Sequence, residues 1–338
     1  MLDQFARARE LVAEARSAEQ RGQTTRALSL YDDALSHFDE SRPEPLYADT
    51  LRWKGTVLRE RGDTDEAHRL YARSLRVAER SEAIGSQAHA LNCLAIVAQR
   101  RGDSGETEKL YGRAADLASK AGESRLLGMI EQNRGVLAAM RGDLANAEIR
   151  YSKSLSAFEG AQDREAVSWV LNNLGMLYTK KGDFEKARDA LEKGLAIAQG
   201  CDPTVESILT LNLAEAWVGA GRLDLADQAC GRALRAAQRR GDHLTAASAL
   251  KCRARIERAR GALDKAMATL RIAIYEAEGT EDRLLHAEML RELGEVARAL
   301  GNAGGAKSAF REAATTYDVV GAKGEAEQVK SLIAELGD

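Results

Sequence analysis

Small and bulky apolar residues return along this chain in a fixed order. A small residue stands at Ala15, Gly55, Ala95, Gly135, Gly175, Ala214, Ala254 and Gly294. Seven positions later comes a glycine each time: Gly22, Gly62, Gly102, Gly142, Gly182, Gly221, Gly261 and Gly301. Five beyond it is Ala27, Ala67, Thr107, Ala147, Ala187, Ala226, Ala266 or Ala306. Nine beyond it is a larger side chain: Tyr31, Tyr71, Tyr111, Tyr151, Leu191, Cys230, Leu270 or Phe310. Twelve beyond it the residue is small again, from Ala34 and Ser74 to Gly194, Ala273 and Ala313. Offsets of 5, 9 and 12 return to one side of a helix at about 3.6 residues per turn. The pattern therefore predicts a helix on each side of every glycine. Small residues let two antiparallel helices approach, and the bulky one fills the space where they diverge.

The glycines are spaced 40, 40, 40, 40, 39, 40 and 40 residues apart. Glycine tolerates the left-handed conformation that ends a first helix. Asp63, Asp103, Asp143 and Asp183 follow the glycine and are expected to cap the second helix. These repeated positions resemble the tetratricopeptide repeat, over roughly residues 8–317. The usual period of that family is about 34 residues. A 40-residue period is similar to the elongated repeats of Pins-type adaptors, kinesin light chains and bacterial Rap-type regulators. The extra length falls in the helices and in the links, where Gly85, Gly122, Gly160, Gly200, Gly241 and Gly279 recur. The resemblance implies an all-α, right-handed solenoid of eight helical hairpins whose concave groove grips a peptide.

Residues 1–320 are expected to form the array and 321–338 a capping helix, since a solenoid must cover its last apolar face. From Glu325 to Leu336, one face carries Val329, Leu332, Ile333 and Leu336. A dimerisation helix is the competing reading of that stretch. At the other end Leu2, Phe5 and Leu11 are expected to be partly uncovered. Ser41-Arg-Pro-Glu-Pro45 and Asp202-Pro203 are expected to end the helices before them.

Composition agrees with a helical chain: 3 prolines in 338 residues, 30% charged and 5% aromatic residues. A formal net charge of −3 gives no ground for nucleic-acid affinity. The start, Met1-Leu-Asp-Gln-Phe-Ala-Arg, lacks a secretory pattern, and no apolar run reaches the roughly 20 residues of a membrane span. Cys93, Cys201, Cys230 and Cys252 show no CxxC spacing and read as free thiols in a reducing cytoplasm. The Ala/Arg/Glu-rich style suggests a bacterial source. Arg-Gly-Asp triplets begin at Arg61, Arg101 and Arg141, but they fall on turns where glycine and aspartate have structural work.

In the family resembled, the first helix of each pair lines the groove. Carried over position by position, this gives Arg52 and Arg59 in repeat two, and Asn92, Ile96, Gln99 and Arg100 in repeat three. Repeat four supplies Met129, Gln132, Asn133, Val136 and Met140; repeat five supplies Trp169, Asn172, Asn173, Met176 and Lys180. Repeat six adds Asn212, Glu215 and Val218. Repeats seven and eight add Lys251, Arg255, Arg258, Arg291 and Arg298, among Glu288, Glu292 and Glu295. The expected groove is amide-rich and apolar in its middle and basic at both flanks. Asparagine offers a donor and an acceptor, which suits the backbone of an extended peptide. Methionine and the aliphatic residues suit apolar anchors, and arginine suits acidic flanking residues. A plain solvated face is the alternative. The family's carboxylate-clamp pattern is matched only in part, because Cys252 and Leu211 break it. Glu131, Arg134, Arg253 and Glu257 stand where bulky apolar residues are expected, and Arg253 and Glu257 are spaced to pair along one helix.

No catalytic constellation is visible. His37, His68, His89, His243 and His286 form no HxxH or HExxH group, and no strand precedes a glycine-rich loop. The expectation is a non-catalytic cytoplasmic adaptor without metal or cofactor, binding a peptide segment of another protein. Nucleic acid and membrane are not expected partners, and a homodimer through terminal helices stays open. Two alternatives remain: a regulatory sensor controlling a separate effector, and an accessory scaffold subunit of a larger enzyme. Repeats that begin almost at residue 8 leave no room for an N-terminal output domain on the sensor reading.

Overall fold

A computed structural model describes residues 5–39, 41–200, 203–278, 280 and 282–337. Among these residues there are 17 helices and no strand, so the chain is an all-α solenoid. The first four hairpins pair α1 (Ala6–Gln20) with α2 (Thr24–Leu35), α3 (Pro45–Glu60) with α4 (Thr64–Arg80), α5 (Ile84–Arg100) with α6 (Ser104–Lys120), and α7 (Ser124–Met140) with α8 (Leu144–Gly160). The next four pair α9 (Arg164–Lys181) with α10 (Phe184–Ala198), α11 (Pro203–Gly219) with α12 (Leu223–Arg240), α13 (His243–Ala259) with α14 (Leu263–Glu276), and α15 (Arg283–Ala299) with α16 (Ala303–Val320). A final helix, α17 (Lys323–Glu335), follows. The chain divides into two compact units. The first holds the described residues up to Arg134 together with Ser156–Ala161; the second holds Gly135–Leu155 and the described residues from Gln162 onward.

All eight turn glycines have positive φ, from +69° at Gly22 to +97° at Gly62, where a side chain is strained. The aspartate caps are less uniform. Asp103, Asp143 and Asp183 accept from the backbone N–H three residues on, at 3.0, 3.1 and 3.3 Å. Asp63 makes no such bond and instead meets Arg61 Nη2 at 2.7 Å. The links also depart from expectation. Gly122, Gly200 and Gly241 are left-handed, but Gly85 and Gly160 lie inside helices, and Glu82 and Gln162 take the left-handed turn positions instead. Gly279, Cys201 and Asp202 lie outside the described residues.

The small-to-bulky register is a physical contact. A Cβ placed on Gly175 stands 2.3 Å from Leu191 Cγ, and one on Gly135 stands 2.5 Å from Tyr151. Gly55 and Gly294 meet Tyr71 and Phe310 in the same way. Gly175→Ala gains helix propensity of about 1 kcal/mol. Overpacking costs about 1–3 kcal/mol and outweighs it, so a lower urea midpoint is expected. Gly112, inside α6 with nothing within 4 Å of its missing Cβ, supplies the contrast. Gly112→Ala is expected to raise the midpoint, through a stability gain of roughly 0.5–1 kcal/mol, in the same titration.

At the N-terminal end Phe5 is half-buried and stacks on Phe38 at 5.6 Å, which stacks on Tyr47 at 5.1 Å. Leu11 is buried rather than uncovered, because it packs with Val12 and Ala34; Leu2 lies outside the described residues. Helix α2 already ends at Leu35, well before Ser41, and Pro45 opens α3 behind an extended Glu44. Helix α17 buries Ala326 and Val329 against the Phe310 and Tyr317 cluster, with Leu332, Ile333 and Leu336 partly buried beside them.

Within each unit, successive first helices touch: α1 with α3 and α3 with α5, then α9 with α11, α11 with α13 and α13 with α15. The second helices of successive hairpins have no comparable contact among the described residues. Helices on the inside of a curve sit closer than those outside it, so each unit is concave on its first-helix face.

Candidate functional site: the first-helix faces

In the first unit the face is built by α3, α5 and the start of α7. Arg52 and Arg59 lie two turns apart on α3, with side chains only 13% and 16% exposed. Arg52 Nη2 donates to Asp49 at 3.2 Å, and its guanidinium lies 5.2 Å from the Trp53 ring centroid. Arg16 approaches the same ring at 5.0 Å. The Trp53 stack escaped the sequence reading, since Arg16 belongs to repeat one and the pairing needs two neighbouring helices. Arg59 Nη2 donates to Glu60 at 3.4 Å. Asn92 is buried and its Oδ1 has no donor. Ile96, Gln132 and Asn133 are half-buried, while Arg100 and Met129 are exposed. The Tyr111 hydroxyl donates to Gln99 at 3.2 Å and also bonds Asn133. His89 is neutral at pH 7, because burial, reinforced by the charge of Arg52, pushes its pKa down to about 4.

In the second unit Val136 is half-buried on α7. Trp169 and Asn173 are half-buried on α9, Asn172 is buried, and Met176 is 51% exposed. Asn212 on α11 donates to Asn172 Oδ1 at 2.7 Å, so two predicted groove amides are spent on each other. The basic flank expected in repeats seven and eight is neutralised in place. Arg255 on α13 donates to Glu215 at 2.7 Å and reaches Glu292 at 3.2 Å. Lys251 donates to Glu288 at 2.5 Å and stands 3.6 Å from Glu215. Burial raises the Glu215 carboxyl, but Lys251 and Arg255 more than reverse that and hold it below its ordinary range. Burial lowers the Lys251 ammonium, and Glu215 and Glu288 reverse that and raise it.

Lys180, at the end of α9, donates to Glu325 of α17 at 3.1 Å, across 145 residues of sequence. That contact brings the last helix to the lip of the face lined by α9. Two of the charged residues at apolar positions, Arg134 and Glu257, are paired across helices. Arg134 bonds Glu131 at 3.0 Å and Glu108 of α6 at 2.7 Å. Glu257 does not pair with Arg253; it accepts from Thr269 at 2.7 Å and meets Lys265 at 3.3 Å, both on α14. Cys93, Cys230 and Cys252 are free and buried. Among the described residues no three His, Cys, Asp or Glu side chains group to hold a metal ion, and no helix is long and apolar enough to cross a membrane.

A family model of the tetratricopeptide repeat matches residues 86–160 and 126–200, and a second such model matches residues 12–88. Together they cover residues 12–200, more than half of the 338-residue chain. The chain is a tetratricopeptide-repeat protein. Among solved structures, this repeat protein resembles apo RapI with a TM-score of 0.70 at 11% identity, covering 97% of both chains. It resembles a Rap protein complexed with competence and sporulation factor with a TM-score of 0.58 at 11% identity, covering 98% of each. It resembles the apo quorum sensor NprR from B. thuringiensis with a TM-score of 0.54 at 12% identity, covering 100% of this chain and 89% of that one. At these identities the likeness is one of fold. No curated protein sequence matches the chain.

Proposed function

We propose that this tetratricopeptide-repeat protein is a non-catalytic interaction module that binds a peptide segment of another protein on its first-helix face. One observation carries the reading: Met129 and Met176, at groove positions, are 44% and 51% exposed beside half-buried Asn133 and Asn173. Both methionines stay largely uncovered although Asn133 bonds Tyr111 and Asn172 donates to the Met176 sulfur, and exposed methionine with amides suits varied apolar anchors on an extended backbone. The fold likeness to a quorum sensor and to a Rap protein complexed with a factor agrees with that use. Three buried free cysteines fit a reducing, cytoplasmic setting.

The sensor reading is second, and the Lys180–Glu325 contact favours it. A peptide entering along α9 meets a bridge to α17, so occupancy and curvature of the second unit are linked.

The test is capture of a partner from the source cell by immobilised protein. Asn133→Ala with Asn173→Ala is expected to lose the captured protein while the circular dichroism stays unchanged. Each lost amide bond weakens binding by about 1 kcal/mol, roughly fivefold. Undiminished capture by the double variant counts against a site on this face.

A further inference from the structure

Of Glu131, Arg134, Arg253 and Glu257, only Arg253 makes no hydrogen bond or ion pair among the described residues. Its counterparts eight residues before the turn glycine, Lys54 and Arg134, reach back to Asp32 and Glu108 on the second helix of the preceding hairpin. Helix α12 offers Arg253 neither partner. Gly231 stands in the place of Asp32, and Asp227, in the place of Glu108, is held by Arg260 at 3.0 Å. Arg253 is half-buried on α13, which packs against both α12 and α14.

The outer faces of those two helices are also unusual. Helix α12 buries Ala226, Ala229, Ala233 and Ala237 inward, and outward it exposes Arg232 and Arg235, which have no partner among the described residues. Eleven residues past its turn glycine every repeat carries a charge, from Asp33 to Glu312, except the seventh, which has Ile272. Fourteen past it stands a polar or small residue, from Ser36 to Thr315, except for Tyr275. Ile272 and Tyr275 are 53% and 71% exposed, one turn apart on α14. Their neighbour Ile274 packs against the core instead. Arg271 beside them is exposed and unpaired among the described residues. Of the carboxylates at this end of α14, Glu276 bonds His243 at 3.0 Å and Glu278 is exposed past the helix. Single apolar residues on a surface need no account, but an adjacent pair at positions kept polar in the other repeats, ringed by free cations, marks a contact surface.

We propose that the outer face of α12–α14 is a second docking surface, for an acidic segment of a partner protein that sets an apolar side chain against Ile272 and Tyr275. Arg232, Arg235, Arg253 and Arg271 supply the charge complement. Their guanidiniums are unpaired, so an arriving carboxylate displaces no resident acid. Ile272 favours a protein over a nucleic acid, because an aliphatic side chain gains from an apolar anchor and nothing from a phosphate. The surface belongs to second helices, away from the first-helix face, and does not depend on peptide binding there.

The experiment selects a displayed library of random dodecapeptides on the full chain and sorts the clones by the variant that loses them. One class is expected to carry Asp and Glu at least about threefold above the unselected library, together with a large apolar residue, and to weaken with salt. Ile272→Ser with Tyr275→Ser, and separately Arg232→Glu with Arg235→Glu, are expected to weaken that class about tenfold or more. These side chains are exposed, and an unchanged melting temperature checks that both variants fold. Arg253→Leu, which supplies the leucine found at Leu174 and Leu213, is expected to raise the melting temperature and yet weaken the same clones about fivefold. Asn133→Ala with Asn173→Ala keeps them. The proposal is overturned if no clone responds to either outer-face pair, or if the responding clones lack acidic enrichment. A single-stranded oligonucleotide that binds in their place and is lost with the arginine pair gives the face to nucleic acid. Sedimentation showing a dimer abolished by the Ile272 and Tyr275 changes gives it to a second copy of the chain. Either result overturns the acidic partner and leaves the first-helix reading standing.

Discussion

Ala187→Arg is expected to unfold the hairpins around it. Ala187 is fully buried in a cluster with Leu191, Val205, Leu209 and Leu213, contributed by α10 and α11. An arginine there either carries a charge into that cluster or forces α10 off its neighbours. Leaving an uncompensated charge in such a place costs about 4 kcal/mol or more. At about 2–4 °C per kcal/mol for a unit of this size, the melting temperature is expected to fall by roughly 10 °C or more. Each repeat depends on its neighbours, so the loss is expected to spread along the second unit. Limited proteolysis followed by mass spectrometry checks this, with early cuts expected in α9–α12. A variant that melts and resists protease like the parent would show that Ala187 does not lie in the helix contact.

The second large effect concerns Glu215. It links α11 to α13 through Lys251 and Arg255, with Glu288 and Glu292 closing the network from α15. Its side chain is 26% exposed and those of Lys251 and Arg255 are 13% and 28% exposed, so water only partly replaces a lost partner. Glu215→Gln is expected to cost about 3 kcal/mol, because two enclosed cations lose a shared counter-charge. Adding Lys251→Met and Arg255→Met is expected to restore much of that loss, since a matched apolar set removes the desolvation penalty. Chemical denaturation of the single and triple variants tests this; equal stabilities throughout would sink the idea. The pH dependence follows from the depressed carboxyl. In the unfolded chain Glu215 titrates near its ordinary value of 4.5, and in the folded chain below it. Its contribution is therefore complete above about pH 4.5 and is lost as pH falls through the lower folded value. Glu215→Gln is expected to flatten the acid limb of stability against pH.

Much of the fold was legible because it depends on a period. Gly175 and Leu191, or Gly135 and Tyr151, are sixteen residues apart in one hairpin, and their contact follows from helix geometry and a two-residue turn. The caps were legible in type, but Asp63 shows the limit. A nearby arginine competes for the same carboxylate, and the sequence does not say which bond is made. The site was legible as a row of positions and not as a set of free groups. Asn172 and Asn212, or Glu215 and Arg255, are each one period apart, so complementary partners were present in the sequence. Nothing in the spacing told which of them satisfy each other and which remain for a ligand.

What the sequence by itself determined is the repeating hairpin: where the turn between its two helices falls, which small residue faces which bulky one, and which face of the first helix is left over. Those follow from local turns and from close packing, both set by residues near one another in the chain. The tertiary structure alone decided the chemistry of that leftover face. Ion pairing depends on distances between neighbouring hairpins: Arg255 finds Glu215 on α11 and Glu292 on α15, whereas Arg52 and Arg59 bond only within α3, to Asp49 and Glu60. It also decided that α17 returns to α9 through Glu325 and Lys180, because curvature accumulated over four hairpins sets that distance.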